Sequence, residues 1–203
     1  MNKILMSIKP QWSAKIFNGE KTVEVRRTRP KLEPPFEVLV YETKGQFIKS
    51  VKGACTTYGY GRGKVIGSFV CDKTYDFFPW GAGVGCTDKN ETLLPPEIVV
   101  KETCLTEQQI IDYLENGNGT FEGYGWHITD LKLFDKPREL GEFCVPCKEY
   151  DSDKPHCGEC DYYRYSPNDS GDAQEECLCD GYKPLRRPPM SWQYVEDHKE
   201  EIT

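Results

Sequence analysis

Ile4-Leu5-Met6-Ser7-Ile8-Lys9-Pro10-Gln11-Trp12-Ser13-Ala14-Lys15-Ile16-Phe17-Asn18-Gly19-Glu20-Lys21-Thr22-Val23-Glu24-Val25-Arg26-Arg27-Thr28 reads as strand, helix and strand. The apolar run at 4–8 is strand-length and stops at Pro10. Residues 11–18 place Trp12 and Ile16, with Ser13 and Phe17, at helical spacing. Asn18-Gly19 then ends the helix, because glycine adopts the left-handed C-terminal conformation at low cost. From 22 to 28 the period falls to two, with Val23 and Val25 toward a core and Thr22, Glu24 and Arg26 on the opposite face.

Working outward, EVLVYE at 37–42 and KVIGSFVCD at 64–72 are short runs rich in β-branched and aromatic residues, and predict strands. Between them residues 49–62 read as a basic loop containing Tyr58 and Tyr60, and 77–96 as a Gly/Pro-rich loop. A second helix is predicted after Leu105. Thr106 with Gln109 three residues on is a capping box, Leu105 and Ile110 form a hydrophobic staple, and Asn116-Gly117 stops it. In YGWHITDLKLF (124–134) the apolar phase slips by one residue near Thr129 and Asp130, which predicts a bulge. These elements predict an α+β fold: a small, mostly β barrel with two helices over residues 1–142, a cysteine-rich insertion at 143–182, and a tail at 183–203 that packs back on the barrel.

The insertion holds Cys144, Cys147, Cys157 and Cys160 as two Cys-x2-Cys pairs, followed by Cys177 and Cys179. Paired thiolates at that spacing fit one tetrahedral structural Zn2+, with Cys177 and Cys179 as alternates and His156 as an alternative ligand. A closed four-thiolate site stabilises without doing chemistry. Disulfides would need an oxidising compartment. The opening MNKILMSIKP is too short in apolar residues for a signal-peptide core, and no stretch reaches the ~20 of a membrane span. The expectation is a cytoplasmic protein with no membrane partner. Cys55, Cys71, Cys86 and Cys104, scattered singly, read as buried free thiols.

Charge is distributed unevenly. Lys and Arg number 14 against 6 Asp and Glu in residues 1–73, and 12 against 27 in the rest, for a net -7. A basic portion suits a polyanion, although the acidic remainder could instead neutralise it in space. The insertion is itself acidic, which leaves open a protein partner there.

Gly19-Glu20-Lys21-Thr22-Val23-Glu24-Val25-Arg26-Arg27 after Ser7-Ile8-Lys9-Pro10, together with Tyr124-Gly125-Trp126-His127-Ile128-Thr129-Asp130-Leu131 and Arg187-Pro188-Pro189-Met190-Ser191-Trp192, resembles the ASCH domain of the PUA-like superfamily, in its phage and bacterial form. The resemblance implies a PUA-like β-barrel with a cleft beside the first helix, and recognition of RNA or modified nucleotides. Lys9, Lys21, Glu24, Arg26, Arg27, Tyr58 and Tyr60 are then the candidate ligand-binding residues, with Trp80 as a further aromatic face, since unpaired bases are held by stacking plus cations. Each has a plainer alternative: Glu24 and Arg26 as a surface ion pair, Lys21 as a solvated turn residue, Trp12, Trp126 and Trp192 as packing residues, and His127 as a structural histidine.

Some ASCH proteins are amidohydrolases that deacetylate N4-acetylcytidine with a lysine, a threonine and a glutamate. The lysine corresponds to Lys21 here. The threonine position is Glu24, and Glu107 is only a positional match for the third. Lys21 and Glu24 are thus the candidate catalytic pair, in a sequence that departs from the hydrolytic pattern. No P-loop, G-x-S-x-G or H-E-x-x-H competes. Nucleic-acid or nucleotide binding is the leading expectation; amidohydrolase and zinc-stabilised adaptor are the alternatives.

Overall fold

The computed structural model describes residues 3–52, 55–115, 117, 120–147, 163–167, 173–177 and 181–197. The chain divides into two compact units, one of Lys3–Arg138 with Pro189–Gln193, the other of Glu139–Pro188 with the two termini.

The first unit contains β1 (Lys3–Ile8), α1 (Pro10–Phe17), β2 (Val23–Arg26), β3 (Phe36–Glu42), β4 (Gly45–Lys52), β5 (Cys55–Gly61), β6 (Lys64–Cys71), β7 (Thr74–Trp80), β8 (Gly83–Thr87), α2 (Pro96–Thr103), α3 (Glu107–Leu114), β9 (Gly123–His127) and β10 (Thr129–Arg138). Strands run β10-β6-β3-β1 in one sheet and β2-β9-β7-β8 in another, with β4-β5 as a separate two-stranded ribbon. β1 and β3 pair in parallel, joined by a crossover through α1 and β2, while β2 itself joins the other sheet. The fold is α+β. The expected barrel is not one closed ladder: among the described residues the strands form these separate sheets.

Among the described residues there are three α-helices where the sequence predicts two. The extra one, α2, begins at a proline, has Pro95 as N-cap and ends on a left-handed Cys104. Its Pro95-Pro96 start reads as loop in sequence, yet proline suits the first helical position because that N–H has no helical partner. Both predicted loops are largely hairpins, β4-β5 and β7-β8. Cross-strand aromatic cover is the physical reason: the rings of Phe47 and Phe78 lie where a Cβ on Gly59 and Gly85 would stand, so glycines that look like punctuation sit inside strands. The capping box on α3 forms as expected, Thr106 and Gln109 each bonding the other's backbone. So does the bulge, with Asp130 at φ 47 and a register shift between Thr129 and Lys132.

Val23, Val25, Tyr75, Phe77, Val84, Cys86, Ile110, Leu114 and Phe121 pack one face of the second sheet against α3. Burying such side chains contributes about 1.5–3 kcal/mol each. On the opposite face Trp126 is fully buried, edge-on to Phe36 at 5.6 Å and against Trp192 at 5.7 Å. Trp126 and Trp192 are therefore packing residues.

The second unit has a 3-10 turn (Leu140–Glu142), β11 (Phe143–Pro146), β12 (Tyr163–Pro167), β13 (Ala173–Cys177), β14 (Tyr182–Pro184) and residues of β15 (Trp192–Asp197). β11 pairs antiparallel with β14 and with the end of β15, and β12 with β13. No helix among the described residues is long and apolar enough to cross a membrane.

Candidate functional site

The turn after α1 aims Lys21 inward. Glu20 N–H bonds Lys15 O, Gly19 N–H bonds Ile16 O, and Gly19 takes φ 74, which together form a Schellman closure. The next residue, Lys21, donates its own N–H to Lys15 O at 3.1 Å and turns its side chain under the chain. Its Nζ donates to Val23 O at 2.8 Å and Thr103 O at 2.7 Å, meets Glu24 Oε2 at 3.2 Å, and sits 5.5 Å from the Trp12 ring centroid. An ammonium has three hydrogens and no lone pair; here three acceptors take all three, and the side chain is only 2% exposed.

Glu24 stands opposite Trp126 in the β2-β9 ladder, with Arg26 two residues along on the same face. Its second carboxylate oxygen, Oε1, lies 2.9 Å from Arg26 Nη2. The same Nη2 donates to Ser7 O at 2.8 Å, while Nη1 reaches Ser191 Oγ at 3.3 Å. Ser7 in turn holds the tail through its N–H to Ser191 O and its Oγ to Pro189 O. All three charged residues are buried. The arrangement is thus two cations sharing one carboxylate, with backbone carbonyls of β1, β2, α2 and the tail completing the shell. Arg26 Nε and Trp126 Nε1, both buried, find no acceptor among the described residues. Such donors cost about 1–3 kcal/mol each unless something accepts from them.

The remaining predicted residues lie elsewhere. Lys9 is exposed at the N-cap of α1, without a side-chain cap bond. Arg27 is exposed; its Nε donates to Tyr113 O at 2.7 Å and its guanidinium stacks over the Tyr113 ring at 5.5 Å. Tyr60 is 72% exposed on β5 and Trp80 56% exposed at the end of β7. The Tyr58 side chain lies outside the described residues. Glu107 accepts from Val84 N–H at 3.2 Å on the edge strand and is not a partner of Lys21. His127 is structural: Nδ1 pairs with Asp72, and its ring meets Tyr75 edge-on. Burial pushes the thiols of Cys71 and Cys86 up to about 12, so both are neutral packing groups and not nucleophiles. Thr103 O, Ser191 and Trp126 complete the cluster without any sequence signal pointing to Lys21, because two of them act through backbone or packing.

Of the zinc candidates, Cys157, Cys160 and Cys179 lie outside the described residues, as does His156, and Cys177 is placed only as the last residue of β13. Cys144 is buried on β11, where desolvation and the carboxylates of Glu196 and Asp197 raise its thiol. Cys147 follows that strand, its N–H bonded to Gly181 O at 2.7 Å. Among the described residues no three potential ligands converge.

The β4-β5 ribbon lies in a stretch without acidic residues. Residues 43–71 contain no Asp or Glu but carry Lys44, Lys49, Lys52, Arg62 and Lys64. Register places Gln46 opposite Tyr60 and Ile48 opposite Tyr58. Ile48 and Tyr60 are 61% and 72% exposed on that face.

Comparison with known proteins yields a short set. No family model matches the chain, and no curated protein does. Among solved structures it is similar to the ASCH protein of Zymomonas mobilis, at 21% identity over 68% of this chain and 73% of that one, with a TM-score of 0.43. A single-substitution variant of that protein gives 20% identity, 69% and 77% coverage, and a TM-score of 0.43. The chain is thus similar to ASCH structures.

Proposed function

We propose that the chain binds nucleic acid, RNA in the first instance, or a modified nucleotide, through the β4-β5 ribbon and without turning it over. The observation that carries this reading is the ribbon itself: within an acid-free stretch that carries five cations, a separate hairpin presents an exposed tyrosine. Stacking rings beside backbone cations are what unpaired bases and phosphates require. Lys9 and Arg27 add exposed positive charge in the same portion of the chain. Lys21, Glu24 and Arg26 serve as a brace that holds the tail and the first helix turn.

The closed shell of Lys21 supports a non-catalytic role. To accept a proton from a substrate it would have to give up one of the three contacts that hold its ammonium in place. The cysteine-rich segment is read as a structural Zn2+ module. The Cys147 to Gly181 bond favours a ligand set that includes Cys177 or Cys179, since it brings the backbone at Cys147 beside the residues following them. Thiolates in either set suit tetrahedral zinc, which would supply folding energy there.

The test is fluorescence anisotropy with a labelled single-stranded RNA at several salt concentrations. A Lys44→Ala, Tyr60→Ala, Arg62→Ala triple variant should bind roughly tenfold more weakly or worse, with a salt slope shallower by about 0.7 for each phosphate it no longer neutralises. Unchanged affinity overturns the ribbon as the binding surface. Release of acetate from N4-acetylcytidine at an enzymic rate, abolished by Lys21→Ala, would overturn the non-catalytic reading.

A further inference from the structure

At the root of the β4-β5 ribbon one face is covered and the other is open. On the covered face the Phe47 ring occupies the space a Gly59 side chain would take, and Gly61 abuts Pro10 at the start of α1 and the Thr43 carbonyl. Residues directly opposite each other in a ladder project to the same side. Gln46, opposite Tyr60, and Ile48, opposite Tyr58, therefore stand on the open face. Gln46, Ile48 and Tyr60 are all exposed, the last at 72%.

This face separates neutral groups from charge. An amide, a branched alkyl chain and a phenol occupy its middle at Gln46, Ile48 and Tyr60. Cations sit at its margin: Lys44 immediately precedes β4, Arg62 immediately follows β5, and both are exposed. The Lys44 stem lies against Gly63, across the turn that follows β5. Glu42, the acid that precedes this stretch, is already engaged, accepting from Ser13 Oγ at 2.7 Å and from the Arg62 N–H at 2.9 Å. Gln46 makes no side-chain hydrogen bond with any described residue. Its amide thus offers a donor and an acceptor to solvent, beside a ring whose Cβ is about 5 Å from its own.

We infer that the ribbon takes an unpaired adenine, stacked on the Tyr60 ring with its edge read by the Gln46 amide. The inference rests on the ribbon being the nucleic-acid surface, and names the base that this surface selects. Two features point to adenine. A two-ring purine covers more of an exposed tyrosine than a pyrimidine does, and stacking supplies much of the hold on an unpaired base. The amide then matches adenine, whose N6 donates while N7 accepts, whereas the same edge of guanine shows two acceptors. A phosphate alone would use neither group; Lys44 and Arg62 serve it at the margin.

Labelled single-stranded RNAs built of UUA, UUG, UUC or UUU repeats are titrated into the full chain by fluorescence anisotropy. The UUA strand should bind tightest, about tenfold tighter than UUG. Gln46→Ala should bring UUA and UUG within about twofold of each other and keep the wild-type salt slope, because no phosphate contact is lost. Tyr60→Ala should weaken UUA and UUG toward UUU. Circular dichroism should not change in either variant, since both side chains are exposed. Wild-type binding of UUG as tight as UUA or tighter, or a Gln46→Ala variant that keeps the adenine preference, overturns the inference and leaves the ribbon reading in place. Wild-type affinity for every strand in the Lys44→Ala, Tyr60→Ala, Arg62→Ala variant overturns the ribbon reading and the inference with it.

Discussion

Glu24 holds Lys21 at 3.2 Å and Arg26 at 2.9 Å, one on each carboxylate oxygen. Removing a shared counterion from a buried cluster is worse than removing a surface ion pair, because both cations stay desolvated. Glu24→Gln should therefore destabilise the chain by about 3–5 kcal/mol, whereas an exposed pair such as Lys15 and Glu20 at 3.8 Å should matter by less than about 1 kcal/mol. Urea unfolding of Glu24→Gln and Glu20→Gln checks the contrast. A small loss for Glu24→Gln would show that water reaches the cluster. The sequence placed Glu24 and Arg26 on one strand face, which the structure bears out, and left open whether that face was wet. Burial was not legible because the cover comes from Thr103, Trp126 and Ser191, all far along the chain.

Elements with strong local signals were legible: α1 with its glycine stop, α3 with its capping box, and the bulge at Thr129 and Asp130. Gly19 shows why. It adopts φ 74, and no heavy atom lies within 4 Å of where an alanine methyl would stand, so only backbone conformation would resist the substitution. Gly19→Ala should cost about 1 kcal/mol and lower the melting temperature by about 2–4 °C, which calorimetry can measure. A neutral result would mean that the turn relaxes and carries Lys21 with it. The β4-β5 and β7-β8 hairpins were not legible, since Phe47 and Phe78 cover their partner strands' glycines from across the ladder. Propensity counts each glycine as a breaker and takes no account of a ring lying over it.

At the scale of the whole molecule, metal content bears on the cysteine-rich segment. Purified chain should carry about one zinc per molecule, consistent with a four-thiolate structural site. A strong chelator should expose 148–180 to protease while the ladder and core of residues 3–138 persist, because metal binding supplies the folding energy of so small a segment. Elemental analysis followed by limited proteolysis distinguishes the outcomes. Absence of zinc in protein purified without chelator would remove the module.

By itself the sequence determined whatever depends on neighbours a few residues apart: helix caps, the switch from period 3.6 to period two at Thr22, the spacing of the thiols, and the acid-free run at 43–71. The tertiary structure decided what depends on residues brought together across ladders. It turned an apparently basic strand face into a closed Lys21, Glu24 and Arg26 brace, raised the basic run into a ribbon, and set Arg29 on Tyr124 beside Asp76. The physical reason is desolvation: whether a charge meets a ligand or braces the fold depends on what excludes water from it, and those groups are supplied from distant positions in the chain.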